Sequence, residues 1–133
     1  MAERHQIDLA KYRIEKAKER LLSAEALLKA ESFADSIGRS YYAVFTAARS
    51  LLAVKGLDSK RHSGVVALFN EHFIKSGLLT KEVYQIITSA KAKRERADYE
   101  DYVEFGKEET EEQLKKAKEF VKIVENLLTN LSK

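Results

Sequence analysis

TEEQLKKAKEFVKIVENLLTNL, residues 110–131, places Leu114, Ala117, Val121, Val124, Leu128 and Leu131 at spacings of 3, 4, 3, 4 and 3. Apolar side chains at that spacing lie on one face of an α-helix, because about 3.6 residues make a turn. Phe120, Ile123 and Leu127 widen the stripe, and Lys, Glu and Gln fill most of the rest. The segment therefore predicts an amphipathic helix with one face in a core. Thr110 and Gln113 have the spacing of a capping box, which predicts a start near them or a few residues earlier.

The same period continues upstream. Thr80 can cap a helix whose seam runs Val83, Ile87, Ala90 and then Arg94 and Ala97, with Gly106 breaking the path to the last helix. A short helix from about 62 to 75 turns Val65, Val66, Phe69 and Phe73 inward and ends at Gly77. Before it lies the loop GLDSKRHSG, residues 56–64, whose first glycine ends a helix predicted over 33–54. Ile37, Tyr41, Val44, Ala48 and Leu51 form that helix's seam, with Phe45 and Leu52 beside it. The first helix is expected from an N-cap at Asp8 to about Ala30, on Ile14, Ala17, Leu21, Ala24 and Leu28, with Leu22 and Leu27 widening its stripe.

Composition supports the same architecture. Among 133 residues there is no Pro, no Cys and only 5 Gly, too few breakers for a sandwich or barrel. The expected fold is all-α: one antiparallel up-and-down bundle of four long helices and one short accessory helix, a single domain over 1–133 with its core at about 8–131. Without Cys there are no disulfides, zinc–thiolate sites or thiol nucleophiles. No apolar run is long enough to span a membrane, and the charged opening residues lack a secretory h-region, so the expected location is the cytoplasm. A net charge of +3, with both signs mixed, is too mild to imply nucleic-acid binding by itself.

Catalytic signatures are sparse. GRSYY at 38–42 lacks the second glycine of a nucleophile elbow, and no glycine-rich phosphate loop is present. His5, His62 and His72 are not spaced as a helical metal pair, so no metal and no cofactor is expected. Two constellations remain. Arg39, Tyr42 and Arg49 share a face of the second helix away from the Tyr41–Val44–Ala48 seam, where Tyr42 either meets a partner or simply lines a helix contact. In KAKRERADYEDYVEF, residues 91–105, the basic Lys91, Lys93, Arg94 and Arg96 precede the acidic Asp98, Glu100 and Asp101. Most of these suit a solvated face, but Arg94 falls on the apolar seam and needs an acceptor there, for which Asp98 at i+4 is nearest. Such a pair either serves structure alone or borders a phosphate-binding cleft.

RSYYAVFTAARSLL at 39–52, RHSG at 61–64 and the R-x-x-x-D-Y run of 94–99 together resemble the HEPN-domain family, in its small stand-alone prokaryotic branch, over about residues 10 to 131. The resemblance implies a dimerising bundle, often encoded beside a minimal nucleotidyltransferase, and many HEPN proteins are toxins that cleave RNA without a metal. Their active site is built by two protomers from an Arg followed a few residues later by a His. The matching Arg here is Arg94, but five residues on stands Tyr99, Glu95 follows the Arg directly, and no His occurs after His72. A phenol with an ordinary pKa of about 10 is a poor acid–base group at neutral pH.

The expectation is therefore a nucleotide- or RNA-binding partner module in a toxin–antitoxin-like pair, using Arg94 with Arg39, Tyr42, Arg49, Arg96 and Tyr102. The alternative is a ribonuclease toxin that uses Arg94 with Tyr99 or Asp98. A third possibility is a bundle in which Arg94 and Asp98 only set helix register. A homodimer is expected because the second helix and the Arg94 region carry more apolar and aromatic surface than one bundle covers.

Overall fold

The computed structural model describes residues 2–132. Five helices follow one another: α1 (Arg4–Lys29), α2 (Phe33–Val54), α3 (His62–Phe69), α4 (Lys81–Tyr99) and α5 (Lys107–Leu131). A π-turn, Asn70–Ile74, prolongs α3, and no strand occurs among the described residues. The all-α expectation holds, with four long helices and one short one.

Side-chain bonds between helices give their directions. Arg20 of α1 meets Thr46 of α2 while Ser36 of α2 meets Ala24, so α1 and α2 run antiparallel. Lys18 pairs with Glu125 and Glu25 with Lys118, which sets α5 antiparallel to α1. The chain thus runs up, down, up and down, with α3 crossing between α2 and α4. No helix among the described residues is long and apolar enough to cross a membrane.

α2 is the central element because two of its faces are buried. Ile37, Tyr41, Val44, Ala48 and Leu51 are all fully buried, as their spacing predicts. A second stripe, Ser36, Ser40, Ala43, Ala47 and Ser50, is also fully buried. Ser36 Oγ donates to the Ala24 carbonyl at 2.7 Å, which places this stripe against α1 and its buried Ala10, Ala17 and Ala24. Small side chains on both helices permit close approach of their axes. The hydroxyls of Ser40 and Ser50 have no hydrogen-bond partner among the described residues. Much of the apolar surface of α2 that suggested a dimer is thus covered within one chain.

The two expected N-caps and one stripe residue depart from expectation. α1 starts at Arg4 because Gln6 Oε1 accepts the Glu3 amide at 2.9 Å, which leaves Asp8 inside the helix. α5 starts at Lys107, so Thr110 is no cap: its buried hydroxyl donates to the Gly106 carbonyl at 2.8 Å. Leu22 is 69% exposed and does not widen the buried α1 stripe. Gly56 does end α2 in the left-handed region, at φ +69°, where the Leu57 amide reaches back to the Leu52 carbonyl.

Candidate functional site: an arginine on a tyrosine pair

α2 places Tyr41 and Tyr42 side by side, but neighbouring residues of a helix point about 100° apart. Tyr41 enters the core, and Tyr42 stays half-buried at the edge. Arg94 of α4 spans both rings, with its guanidinium carbon 5.4 Å from the centroid of Tyr41 and 4.9 Å from that of Tyr42. Its Nη2 donates to Tyr42 Oη at 2.8 Å and pairs with Asp98 Oδ2 at 3.2 Å. The acceptor expected at i+4 is therefore in place. The residue that breaks the α4 seam is only one-fifth exposed, held on an aromatic face by one hydroxyl and one carboxylate. Beside it a notch of about 500 Å³ is lined by Arg39 and Tyr42, by the carboxylates of Asp35 and Asp98, and by Leu27, Ala34 and Gly38.

His62 lies on the other side of the tyrosine pair. Its Nδ1 is 2.9 Å from Tyr41 Oη, and its ring packs 4.3 Å from Phe45, centroid to centroid. Burial pushes the Tyr41 phenol up to about 12. Among the described residues the Tyr41 hydroxyl has no other acceptor, and as the donor of this bond it meets a bare His62 Nδ1. The neutral imidazole then carries its own proton on Nε2. Burial, and next the positive charges of Arg94, Lys91 and Arg49, hold the imidazole below its usual pKa, which keeps it neutral.

The other residues singled out by the sequence are dispersed. Arg49 does share the Tyr42 face of α2, but it lies two turns further on. It is clamped to Asp58, Nε to Oδ1 at 3.2 Å and Nη2 to Oδ2 at 2.9 Å. Arg13 reaches the same carboxylate at 3.2 Å, and the Arg49 bond holds Asp58 below the usual carboxylate range. Arg96 turns away from Arg94, stacks 4.5 Å from Phe105 and pairs with Glu109 at 3.4 Å, so it ties the end of α4 to α5. Tyr99 and Tyr102 are strongly exposed, and Tyr102 sits at φ +61°. Neither has a side-chain hydrogen bond among the described residues, so neither phenol is poised beside Arg94.

His62 is the residue that sequence spacing missed. Counting from Arg94 along α4 cannot find a group that arrives from α3. The available signal was the loop itself: only Gly64 lets Ser59 fold over the start of α3, since a Cβ there would lie 2.1 Å from Ser59 Oγ. Among the described residues no three His, Cys, Asp or Glu side chains converge as a metal site.

The family model described as the HEPN domain matches residues 10–127. A UPF0332 protein of Thermotoga maritima is 36% identical over 118 residues, 89% of each chain. A Methanocaldococcus jannaschii protein bearing the name "Putative toxin" is 37% identical over 81% of this chain and 74% of its own. A UPF0332 protein of Archaeoglobus fulgidus is 31% identical over 90% of this chain and 95% of its own.

Proposed function

The chain belongs to the HEPN-domain family, and from that premise we propose that it is the phosphate-binding, non-cleaving member of a toxin–antitoxin-like pair. Arg94 carries the reading. A guanidinium on an otherwise apolar seam costs desolvation, and a purely structural role would be served as well by an apolar residue of similar size. Its planar fork, oriented by Tyr42 and Asp98, uses only Nη2 in those two contacts and still has N–H groups to offer a phosphate. Arg39 stands at the same notch, where it and Arg94 balance the carboxylates of Asp35 and Asp98. The ligand is a nucleotide or a stretch of RNA backbone.

Cleavage needs a group that removes the 2′-hydroxyl proton and one that protonates the leaving oxygen. Tyr99, where a His would follow the family's Arg, is exposed and unbonded. His62 carries its accessible proton as a donor on Nε2, because Tyr41 occupies Nδ1. The chain accordingly binds without cutting. The second reading is a toxin that cuts RNA through Arg94 with Tyr99 or Asp98; the name of the Methanocaldococcus relative favours a toxic role and no more than that.

Purified protein incubated with RNA in EDTA decides between them. No cleavage is expected from the wild type. An active wild type that loses activity with Tyr99→Phe establishes the second reading instead. We further propose that a minimal nucleotidyltransferase is the partner, and that two copies pair through the end of α4, where Tyr99 and Tyr102 remain uncovered. A mass of one chain by sedimentation at micromolar concentration would contradict the pairing.

A further inference from the structure

The loop between α2 and α3 closes over a cleft of about 560 Å³, lined by Phe45, Arg49, Asp58, Ser59, Lys60 and His62. Its charges do not balance. Arg13 and Arg49 share the single carboxylate of Asp58, and Lys60 has no carboxylate partner among the described residues. Three cations face one anion, which leaves two positive charges uncompensated at the cleft. On the α4 side Lys91 and Arg94 are answered by Glu95 and Asp98, so they add no net charge. His62 lines the cleft with Nδ1 bonded to Tyr41, while its Nε2 has no protein partner among the described residues. The rigid part is well built, since the Asp58 clamp fixes Arg49 and the Phe45 and Tyr41 rings fix the imidazole.

The geometry points to this cleft as a second phosphate subsite, in which His62 Nε2–H and the Lys60 ammonium donate to the oxygens of one phosphate group and Arg49 supplies charge behind them. A phosphate monoester brings up to two negative charges and three acceptor oxygens, which matches an excess of two positive charges and separated donors better than a carboxylate does. The inference deepens the phosphate-binding reading given above and rests on it for the class of ligand. It uses different side chains, so either can fail alone. Binding also has a proton signature. The cations around His62, Arg49 on α2 with Lys91 and Arg94 on α4, hold the imidazole neutral. A phosphate dianion against Nε2 reverses that field, so the complex takes up part of a proton as it forms.

The experiment is calorimetric titration with inorganic phosphate, AMP and a short oligoadenylate, near the usual histidine pKa of about 6.5, in two buffers of different ionisation enthalpy. The variants are Lys60→Gln, His62→Gln and Arg94→Met. Lys60→Gln alters an exposed loop side chain and leaves the fold intact, and it should weaken binding about tenfold, or 1.4 kcal/mol. Proton uptake should persist in Lys60→Gln and vanish in His62→Gln. Tighter binding of AMP than of the oligoadenylate identifies a free nucleotide as the source of the phosphate, and the reverse order identifies RNA; both support the subsite. If Lys60→Gln and His62→Gln bind like the wild type, with equal proton uptake, the subsite is overturned, while a loss confined to Arg94→Met leaves the first reading standing. If none of the three probes binds the wild type, both readings fall.

Discussion

Combining Arg94→Met with Tyr42→Phe, and separately with Asp98→Asn, in two double-mutant cycles separates a positioned arginine from a helix-register pair. The Arg94–Tyr42 bond is 2.8 Å long and joins a charged donor to a neutral hydroxyl, with the guanidinium only 20% exposed. A bond of that kind contributes about 1–2 kcal/mol. Tyr42→Phe keeps the ring beneath the guanidinium, so the cycle measures the hydrogen bond without the cation–π contact, itself about 0.5–1 kcal/mol. Asp98 is 43% exposed and sits at i+4 on the same helix. Such pairs couple by about 0.3–0.5 kcal/mol, and salt screens them. The Tyr42 coupling should therefore exceed the Asp98 coupling about two- to sevenfold. With an m value of about 2 kcal/mol/M in urea, it corresponds to a midpoint difference of about 0.5–1 M. Urea unfolding followed by circular dichroism, at roughly 0.1 and 1 M salt, measures both. The reasoning is refuted if the Asp98 coupling is the larger, because Arg94 then serves helix register.

Gly56→Ala should cost about 1–2 kcal/mol, since a Cβ is strained at φ +69° and would lie 2.7 Å from Gln6 Nε2, displacing the side chain that starts α1; thermal unfolding checks it. Ser40→Ala should stabilise the protein by about 1 kcal/mol, because its buried hydroxyl has no partner among the described residues, and an unchanged or lowered urea midpoint contradicts this. Stability should fall on acidification in two stages. His62 titrates lower in the folded chain than its ordinary 6.5, so the unfolded chain binds the proton first, and stability is lost as pH drops from that value toward the folded pKa. Asp58, also depressed, contributes stability above its ordinary 3.8 that is lost as pH falls further, through its folded pKa. Urea midpoints across pH should show the first stage vanish in His62→Gln and the second in Asp58→Asn.

Periodicity made the helices legible because burial in a bundle follows directly from position on a helix face. The α2 limits and the fully buried Ile37, Tyr41, Val44, Ala48 and Leu51 agree with the reading of the sequence. The second buried face of α2 escaped it, since serines and alanines carry little hydrophobic signal and are buried for their size. Caps escaped it in part: Asp8 is a good capping residue, but Gln6 starts α1 earlier, whereas α5 starts at Lys107, within the few residues before Thr110 that the spacing allows. At the site, the broken seam at Arg94 and its i+4 partner were both visible, because both lie within one helix. The Tyr42 bond, the Asp58 clamp on Arg13 and Arg49, and the approach of His62 to Tyr41 join different elements. No spacing along the chain encodes such contacts, and they appear only once the helices are packed.

The central claim, that Arg94 holds a phosphate and the chain does not cut RNA, is tested most directly by anisotropy of a fluorescent oligoribonucleotide in EDTA across a salt series. Each phosphate contact on a single strand contributes about −0.7 to the slope of log K against log salt. The account predicts that wild type binds the oligomer intact and that Arg94→Met weakens binding and makes the slope shallower by about 0.7. Equal affinity and equal slope for the two proteins, or cleavage of the oligomer by the wild type, would contradict it.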